Sequence, residues 1–296
     1  MRPPDCILVR LGELALKSDQ VQRKWFRILL ENIHAGLKQE KIEYRLEVNP
    51  NRIFVFTRQI PEAIAVLRKV FGIVSVSPVW QCHSELAEIR LLAADIAEQV
   101  LKLNDKKSFA IRARRAGHHK FSSKLIAEEA GAAVKRITNA RVDLSKPENE
   151  IEIECRSRNT YIFTEKIPAV GGLPLGTGGK VLALLEKKED AFAALMIAKR
   201  GCELVLLAKN FEPVEIIKNF YIGKELELFA TKDFSELEEI LETENINSVA
   251  AGEKINKKIL KVLEKKNILL LQPLEGLPER EKSEISRKFS LKTAGN

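Results

Sequence analysis

YRLEVNPNRIFVFT, residues 44–57, reads as a β-hairpin. Tyr44, Leu46 and Val48 alternate with polar residues, Asn49-Pro50-Asn51 turns, and Arg52 to Thr57 returns as a second strand. Working outward, residues 20–38 carry Phe26, Leu29, Leu30, Ile33 and Leu37 at a helical period. A second helix runs from Pro61, which suits a first helical turn, to Lys69. Outside the two helices lie the apolar runs Ile7–Leu11 and FGIVSVSPV (71–79), both read as strands. The order β-α-β-β-α-β is that of a ferredoxin-like unit.

A second α+β unit follows. Residues 85–102 place Leu86, Ile89, Leu92 and Ile96 on one helical face. SFAIRARR (108–115) is a strand with Phe109, Ile111 and Ala113 on one side and Arg112 and Arg114 on the other. A helix over 124–138 turns Ile126, Ala130, Ala133, Val134 and Ile137 inward, and three strands near 141–144, 151–155 and 160–164 complete the unit. The chain changes character at PAVGGLPLGTGGK (168–180), a linker or a functional loop; it fails the Walker pattern, with Pro174 at a required glycine and Val181 after Lys180, so a flexible interdomain linker is the preferred reading. Beyond it, short apolar strands at 181–185, 202–208, 226–229, 246–249 and 268–272 alternate with helices near 189–200, 233–242, 253–266 and 278–289. That alternation predicts a doubly wound parallel sheet. The expected segments are 1–77, 78–167 and 168–296, a mixed α/β and α+β fold.

The 296 residues carry a net charge of +8, and its distribution is uneven. Segment 1–76 is net +5, 77–167 net +3, and 168–296 neutral. The excess assigns a polyanion to the N-terminal part. No apolar run reaches membrane-spanning length, so no membrane is expected, and the opening residues do not read as a signal peptide. Cys6, Cys82, Cys155 and Cys202 are widely spaced with no CxxC, which argues against a disulfide framework or zinc ribbon and for a reducing, cytoplasmic setting. His118-His119 and Cys82-His83 lack ligand spacing, so no metal is expected.

KKSFAIRARRAGHHKFSSK (106–124) holds seven Lys or Arg, two His, two Phe and no acidic residue. Its Lys106, Lys107, Arg112, Arg114, Arg115, His118, His119, Lys120 and Phe121 are candidate RNA contacts, with Ser122 and Ser123 at a helix N-terminus that favours an anion. Lys17, Arg23 and Lys24 join them, while Arg27 reads equally as a surface charge. The alternative is a basic edge strand kept soluble by its charges.

In LVRLGELALKS (8–18) with RKWFRILLENI (23–33), FAIRARRAGHHKFSS (109–123), VGGLPLGTGGKVLALL (170–185) with ALMIAKRGCEL (194–204), and INSVAAGEKI (246–255) with QPLEGLPEREKSEISRK (272–288), the chain resembles the tRNA 4-thiouridine synthetase (tRNA sulfurtransferase) family. The resemblance implies an N-terminal ferredoxin-like domain, a THUMP domain that grips the acceptor end of tRNA, and an ATP-pyrophosphatase domain with a PP-loop. Family members adenylate a tRNA uridine with ATP and deliver sulfur from a cysteine persulfide.

The PP-loop pattern Ser-Gly-Gly-Xaa-Asp-Ser falls on Glu186, Lys187, Lys188, Glu189, Asp190 and Ala191, where only Asp190 is kept. No glycine or hydroxyl remains to cradle a pyrophosphate, and two added carboxylates repel it. Leu184, Leu185, Asp190 and Gly252 are the expected remnants of a nucleotide site; the glutamine expected nine residues after Gly252 is Lys261, and no cysteine follows Cys202. No catalytic residue is assigned and no cofactor is expected. The leading expectation is a tRNA-binding protein of tRNA thiolation, working as a homodimer or with a separate catalytic partner. Two alternatives stand beside it: an active sulfurtransferase using ATP through the altered loop with an external sulfur donor, and a general nucleic-acid module.

Overall fold

The structure, a computed structural model, describes residues 2–12, 19–49, 52–117 and 121–289. The first elements are β1 (Cys6–Leu11), α1 (Asp19–Gln39), β2 (Arg45–Asn49), β3 (Arg52–Phe56), α2 (Ile60–Leu67) and β4 (Ile73–His83). β2 and β3 pair antiparallel from Arg45 opposite Phe56 to Asn49 opposite Arg52, the two strands of the expected hairpin; Pro50 and Asn51 of its expected turn lie outside the described residues. Next come α3 (Leu86–Gln99), β5 (Ser108–Arg115), α4 (Ser123–Thr138), β6 (Arg141–Val142), β7 (Asn149–Cys155), β8 (Asn159–Phe163) and β9 (Ile167–Pro168). The last third holds β10 (Lys180–Leu185), α5 (Lys188–Ala198), β11 (Glu203–Ala208), α6 (Glu212–Lys218), β12 (Glu227–Ala230), α7 (Leu237–Thr243), β13 (Ser248–Ala250), α8 (Lys257–Lys265), β14 (Leu269–Leu271) and α9 (Glu279–Lys288).

Packing divides the chain into two compact units. The first comprises 1–9, 44–60 and 76–167; the second comprises 10–43, 61–75 and 168–296. One sheet runs in the order β2-β3-β1-β4-β8-β7-β5-β6. In the first unit α3 and α4 cover one face of it, burying Phe109, Ile111, Ile151, Ile153 and Ile162 with Ile89, Ile126 and Val134. The odd residues of β5 therefore point inward, as their alternation requires. Ile137 does not follow the helical stripe: it is 46% exposed, while Thr138 beside it is buried. The other face buries Cys6, Leu8, Phe54, Val79, Tyr161 and Phe163, with Phe54 stacked on Tyr161 at 4.2 Å.

The second unit contains a five-stranded sheet, all parallel, in the order β12-β11-β10-β13-β14. Both faces are covered, as a doubly wound sheet requires. Ala183, Leu185, Leu204 and Leu206 pack with α5 and α6; Leu182, Leu184, Val205 and Leu207 pack with α7 and α8. Leu184 and Leu185 thus sit in the two cores, 4% and 0% exposed, and are not available to line a nucleotide site.

The glycine-dense segment 168–180 is not a loose linker. Ala169, Gly171, Leu173, Gly176 and Gly178 each donate a backbone hydrogen bond to Val74, Ile73, Lys199, Gly201 and Gly201 carbonyls. Leu175 is fully buried, and its carbonyl accepts from Asn32 Nδ2 of α1 at 2.9 Å. At Gly201, whose φ is +92°, a Cβ would lie 2.1 Å from Thr177 Oγ1. The glycines let two backbone segments approach closely rather than swing freely.

Candidate functional site

The basic strand β5 does not present a single cationic track. Lys107 at its start donates its ammonium to the Leu101 and Lys102 carbonyls at 3.1 Å, closing the end of α3. Lys106 is exposed beside it. Seven residues of strand, about 23 Å, separate Lys107 from Arg114. In between, Arg112 is already engaged. Its Nε lies 3.0 Å from Glu150 Oε1 and its Nη2 donates to the Leu144 carbonyl at 2.9 Å.

The neighbouring strand supplies the counter-charges. β7 pairs parallel with β5, which sets Arg112 opposite Glu152 and Arg114 opposite Glu154. Glu150, Glu152 and Glu154 alternate onto the face that carries the arginines. Glu150 takes Arg112, Glu152 takes Lys166, and Glu154 is shared by Arg52 and Arg156 at 3.6 Å each. The early part of the face is therefore neutral. Its far end is not: Arg52 and Arg156 share the single Glu154, Arg114 stands opposite it in the register, and Arg115 and Arg158 are exposed nearby in sequence.

Three local features build that end. The Ala116 amide prolongs the β5–β7 ladder to the Cys155 carbonyl at 2.9 Å. Gly117 then turns with φ +93°, and a Cβ there would meet Ser157 Oγ at 2.8 Å, so glycine is required for this close approach. Ser122 caps α4: its Oγ accepts from the Leu125 amide at 3.1 Å, leaving the first-turn amides of Ser123 and Lys124 toward the strand edge. β6 pairs β5 only at Ser108 and Phe109, so the edge beyond Ile111 is open. A cavity of about 490 Å³ opens there, lined by the paired Arg112–Glu150 and Lys166–Glu152 and by Arg114, Ser123 and Lys124, of which Arg114 and Lys124 carry the charge not matched within the lining. Cationic side chains beside a helix N-terminus form an anion-accepting surface.

Phe121 is half-buried and packs against the α3–α4 core, so it anchors the loop rather than offering a free ring to a base. Arg23 and Lys24 are exposed on α1 and, with Arg27, line a cavity of about 540 Å³; Arg27 lies 3.8 Å from Glu31. Lys17, His118, His119 and Lys120 lie outside the described residues. Arg52, Arg156 and Arg158 escaped the sequence reading. The Arg-Ser-Arg turn between two strands was their signal, and only the pairing of β7 with β5 places it beside Arg114.

The thiols are not set up as nucleophiles. Burial pushes the Cys6 thiol up to about 12. Burial, with Glu88 nearby, does the same to Cys82, and burial raises Cys202. Cys155 is buried in the core of the first unit. Among the described residues no three His, Cys, Asp or Glu gather as metal ligands, and no helix is long and apolar enough to cross a membrane.

In the parallel sheet, strand order reverses between β10 and β13, where such folds place their ligand crevice. Asp190 and Gly252 meet at this point: Asp190 Oδ1 accepts from the Gly252 amide at 2.9 Å.

Comparison with known proteins places these features. Residues 6–77 match the ThiI ferredoxin-like domain, and residues 83–165 match the THUMP domain. A probable tRNA sulfurtransferase of Methanothermobacter thermautotrophicus is 38% identical over 213 residues, covering 71% of this chain and 54% of that protein. One from Methanobrevibacter smithii is 35% identical over 207 residues, covering 69% and 53%. The chain spans about half the length of these relatives. Among solved structures, PH1313 from Pyrococcus horikoshii superposes with a TM-score of 0.81 at 27% identity, over 97% of this chain and 99% of that one. A 4-thiouridine synthetase–RNA complex with bound ATP shares the fold, with a TM-score of 0.79 at 20% identity over 97% and 85% of the two chains.

Proposed function

We propose that this chain, which carries a ThiI ferredoxin-like domain followed by a THUMP domain, is a tRNA-binding protein of tRNA thiolation that does not itself adenylate or sulfurate the RNA. Relatives that match about 70% of the chain are named for tRNA sulfur transfer, and a protein of the same fold is complexed with RNA. The observation that carries the reading is the arginine-rich end of β5 beside the Ser122-capped helix. Arg114, Arg115 and Arg158 are exposed there, and the free first-turn amides of α4 are donors for phosphate oxygens. The acceptor end, with its single-stranded terminus, is the part of tRNA such a surface suits.

The thiols support the non-catalytic half. Sulfur transfer needs a thiolate, which a low pKa supplies, and these thiols are shifted the other way or buried. An active sulfurtransferase with an external sulfur donor is the competing reading.

Pyrophosphate release from ATP, measured with and without total tRNA, tests the proposal on a sample whose tRNA binding is followed in parallel. The expected result is salt-dependent binding of folded tRNA over a generic duplex, with no release. Release that depends on tRNA would establish the competing reading; equal affinity for the duplex would leave a general nucleic-acid module.

A further inference from the structure

Segment 168–296 is neutral as a whole, yet its charge is not spread evenly. Residues 254–266 hold six lysines and one glutamate, net +5. Asn256 caps α8, its side chain accepting from the Lys258 amide at 2.9 Å. Ile259 and Leu263 turn the apolar side of the helix into the core that covers the sheet. That leaves Lys257, Lys261 and Lys265, four residues apart, exposed in a row along about 12 Å of helix, with exposed Lys254 just ahead of it.

These lysines work against the helix that carries them. Like charges at four-residue spacing repel, and cations in the first turn oppose the helix dipole. No acidic residue stands in that turn to offset them. The rest of the domain does not answer them either. Lys180, Lys218, Lys224, Lys266 and Lys282 each have a carboxylate partner. The side chains of Lys254, Lys257, Lys261 and Lys265 have none among the described residues. Lys258 stands apart from the row, since its charge acts on the Asp233 carboxylate. The acids in and beside α7 are spent elsewhere. Glu238 and Glu242 take Lys266, Glu244 takes Lys180, and Glu236 accepts from Thr231 Oγ1 at 2.5 Å.

A row of unpaired cations kept at a cost to its own helix fits a row of anions. We propose that the exposed face of α8 grips the phosphate backbone of RNA, a second RNA contact carried by the parallel domain. The proposal rests on the tRNA-binding reading and deepens it, by giving a task to the domain that lacks a glycine cradle at residues 186–191. Lysines offer point charges on flexible stems, which suit phosphates and read no base. A lipid surface is a poorer match, because the apolar side of α8 is buried and leaves nothing to insert. A second copy of the chain is a poorer match too, because the α7 carboxylates that could meet the lysines are already paired.

The test is anisotropy titration of labelled tRNA across a salt series, with the full chain and two charge-matched variants. Lys257→Gln/Lys261→Gln/Lys265→Gln removes three cations from α8. Lys218→Gln/Lys224→Gln/Lys288→Gln removes three elsewhere in the same domain and is expected to keep the wild-type slope. The α8 variant is expected to lose about 2 from the slope of log affinity against log salt, on the order of a hundredfold in affinity near 0.1 M salt. Its melting midpoint is expected to hold or rise, because repulsion along the helix is relieved, whereas lysines with a structural role would lower it. An unchanged slope in the α8 variant, or an equal loss in the control, overturns the inference and leaves the proposed function standing. An α8 variant that keeps its tRNA slope but no longer binds phosphatidylserine–phosphatidylcholine vesicles gives the face to a lipid surface and overturns it as well. Wild-type chain that binds no tRNA overturns the proposed function, and this contact with it.

Discussion

Arg112 and Arg114 stand two residues apart on one face of β5, yet their alanine variants are expected to fail in different assays. Arg112 is tied to Glu150 and to the Leu144 carbonyl, with both charged side chains about two-fifths exposed. An ion pair so exposed is worth at most about 1 kcal/mol, and the carbonyl bond about as much again. Arg112→Ala is therefore expected to cost about 1–2 kcal/mol of stability, a few degrees in melting temperature. Arg114 is exposed, with no side-chain partner among the described residues. Its charge is free for a phosphate, and each such contact contributes about 0.7–0.9 to the slope of log affinity against log salt. Arg114→Ala should then weaken tRNA binding about five- to eightfold near 0.1 M salt, with the loss vanishing toward 1 M. Its melting temperature should not move. Anisotropy titrations of labelled tRNA across a salt series, beside thermal melts of the same samples, read both quantities. An unchanged slope in Arg114→Ala, together with a flattened slope in Arg112→Ala, would refute the division of the strand into a neutral and a cationic end.

Three further outcomes are expected. Ser122→Ala removes the α4 cap and should cost about 1 kcal/mol in denaturant unfolding, with Ser122→Asn restoring it. Gly201→Ala places a Cβ against Thr177 Oγ1 at a positive φ and should lower the melting temperature far more than an alanine at the open Gly179. For Cys6, the folded thiol sits near 12 while the unfolded one titrates near 9, so the folded state holds its proton longer. The stability this thiol contributes should be constant below pH 9 and decline from there toward pH 12, and Cys6→Ala should flatten part of that alkaline decline in denaturant midpoints measured against pH.

The elements that local pattern specifies were legible. The strands of the hairpin, β2 and β3, pair as their alternation requires, since a one-residue slip would turn each apolar side chain to the other face. The parallel sheet follows from apolar strands too uniform to face water on either side. One helix was missed: α6 (Glu212–Lys218) is short, and Pro213 in its first turn was the available signal. Segment 168–180 was misread because glycine reports conformational permission, and permission serves close packing as well as mobility. The candidate RNA surface was half legible. Its cations are visible along residues 106–124, but Phe121 turned to the core, Lys107 to the α3 carbonyls and Arg112 to Glu150.

By itself the sequence determined the paired strands β2 and β3, the parallel sheet with most of its covering helices, the uneven charge and the absence of a glycine cradle at residues 186–191. Each of these is a statement about neighbours along the chain or about composition. That the first two α+β units share one sheet it did not show. Only the tertiary structure decided which charges remain available. Glu150, Glu152 and Glu154 are some forty residues from the arginines they face, and a parallel register brings them together. The same holds for Asp190 and Gly252, 62 residues apart, whose carboxylate and amide meet where the strand order reverses. Electrostatics and hydrogen bonding act over a few ångströms of space, and in both places that space is set by strand order rather than by sequence distance.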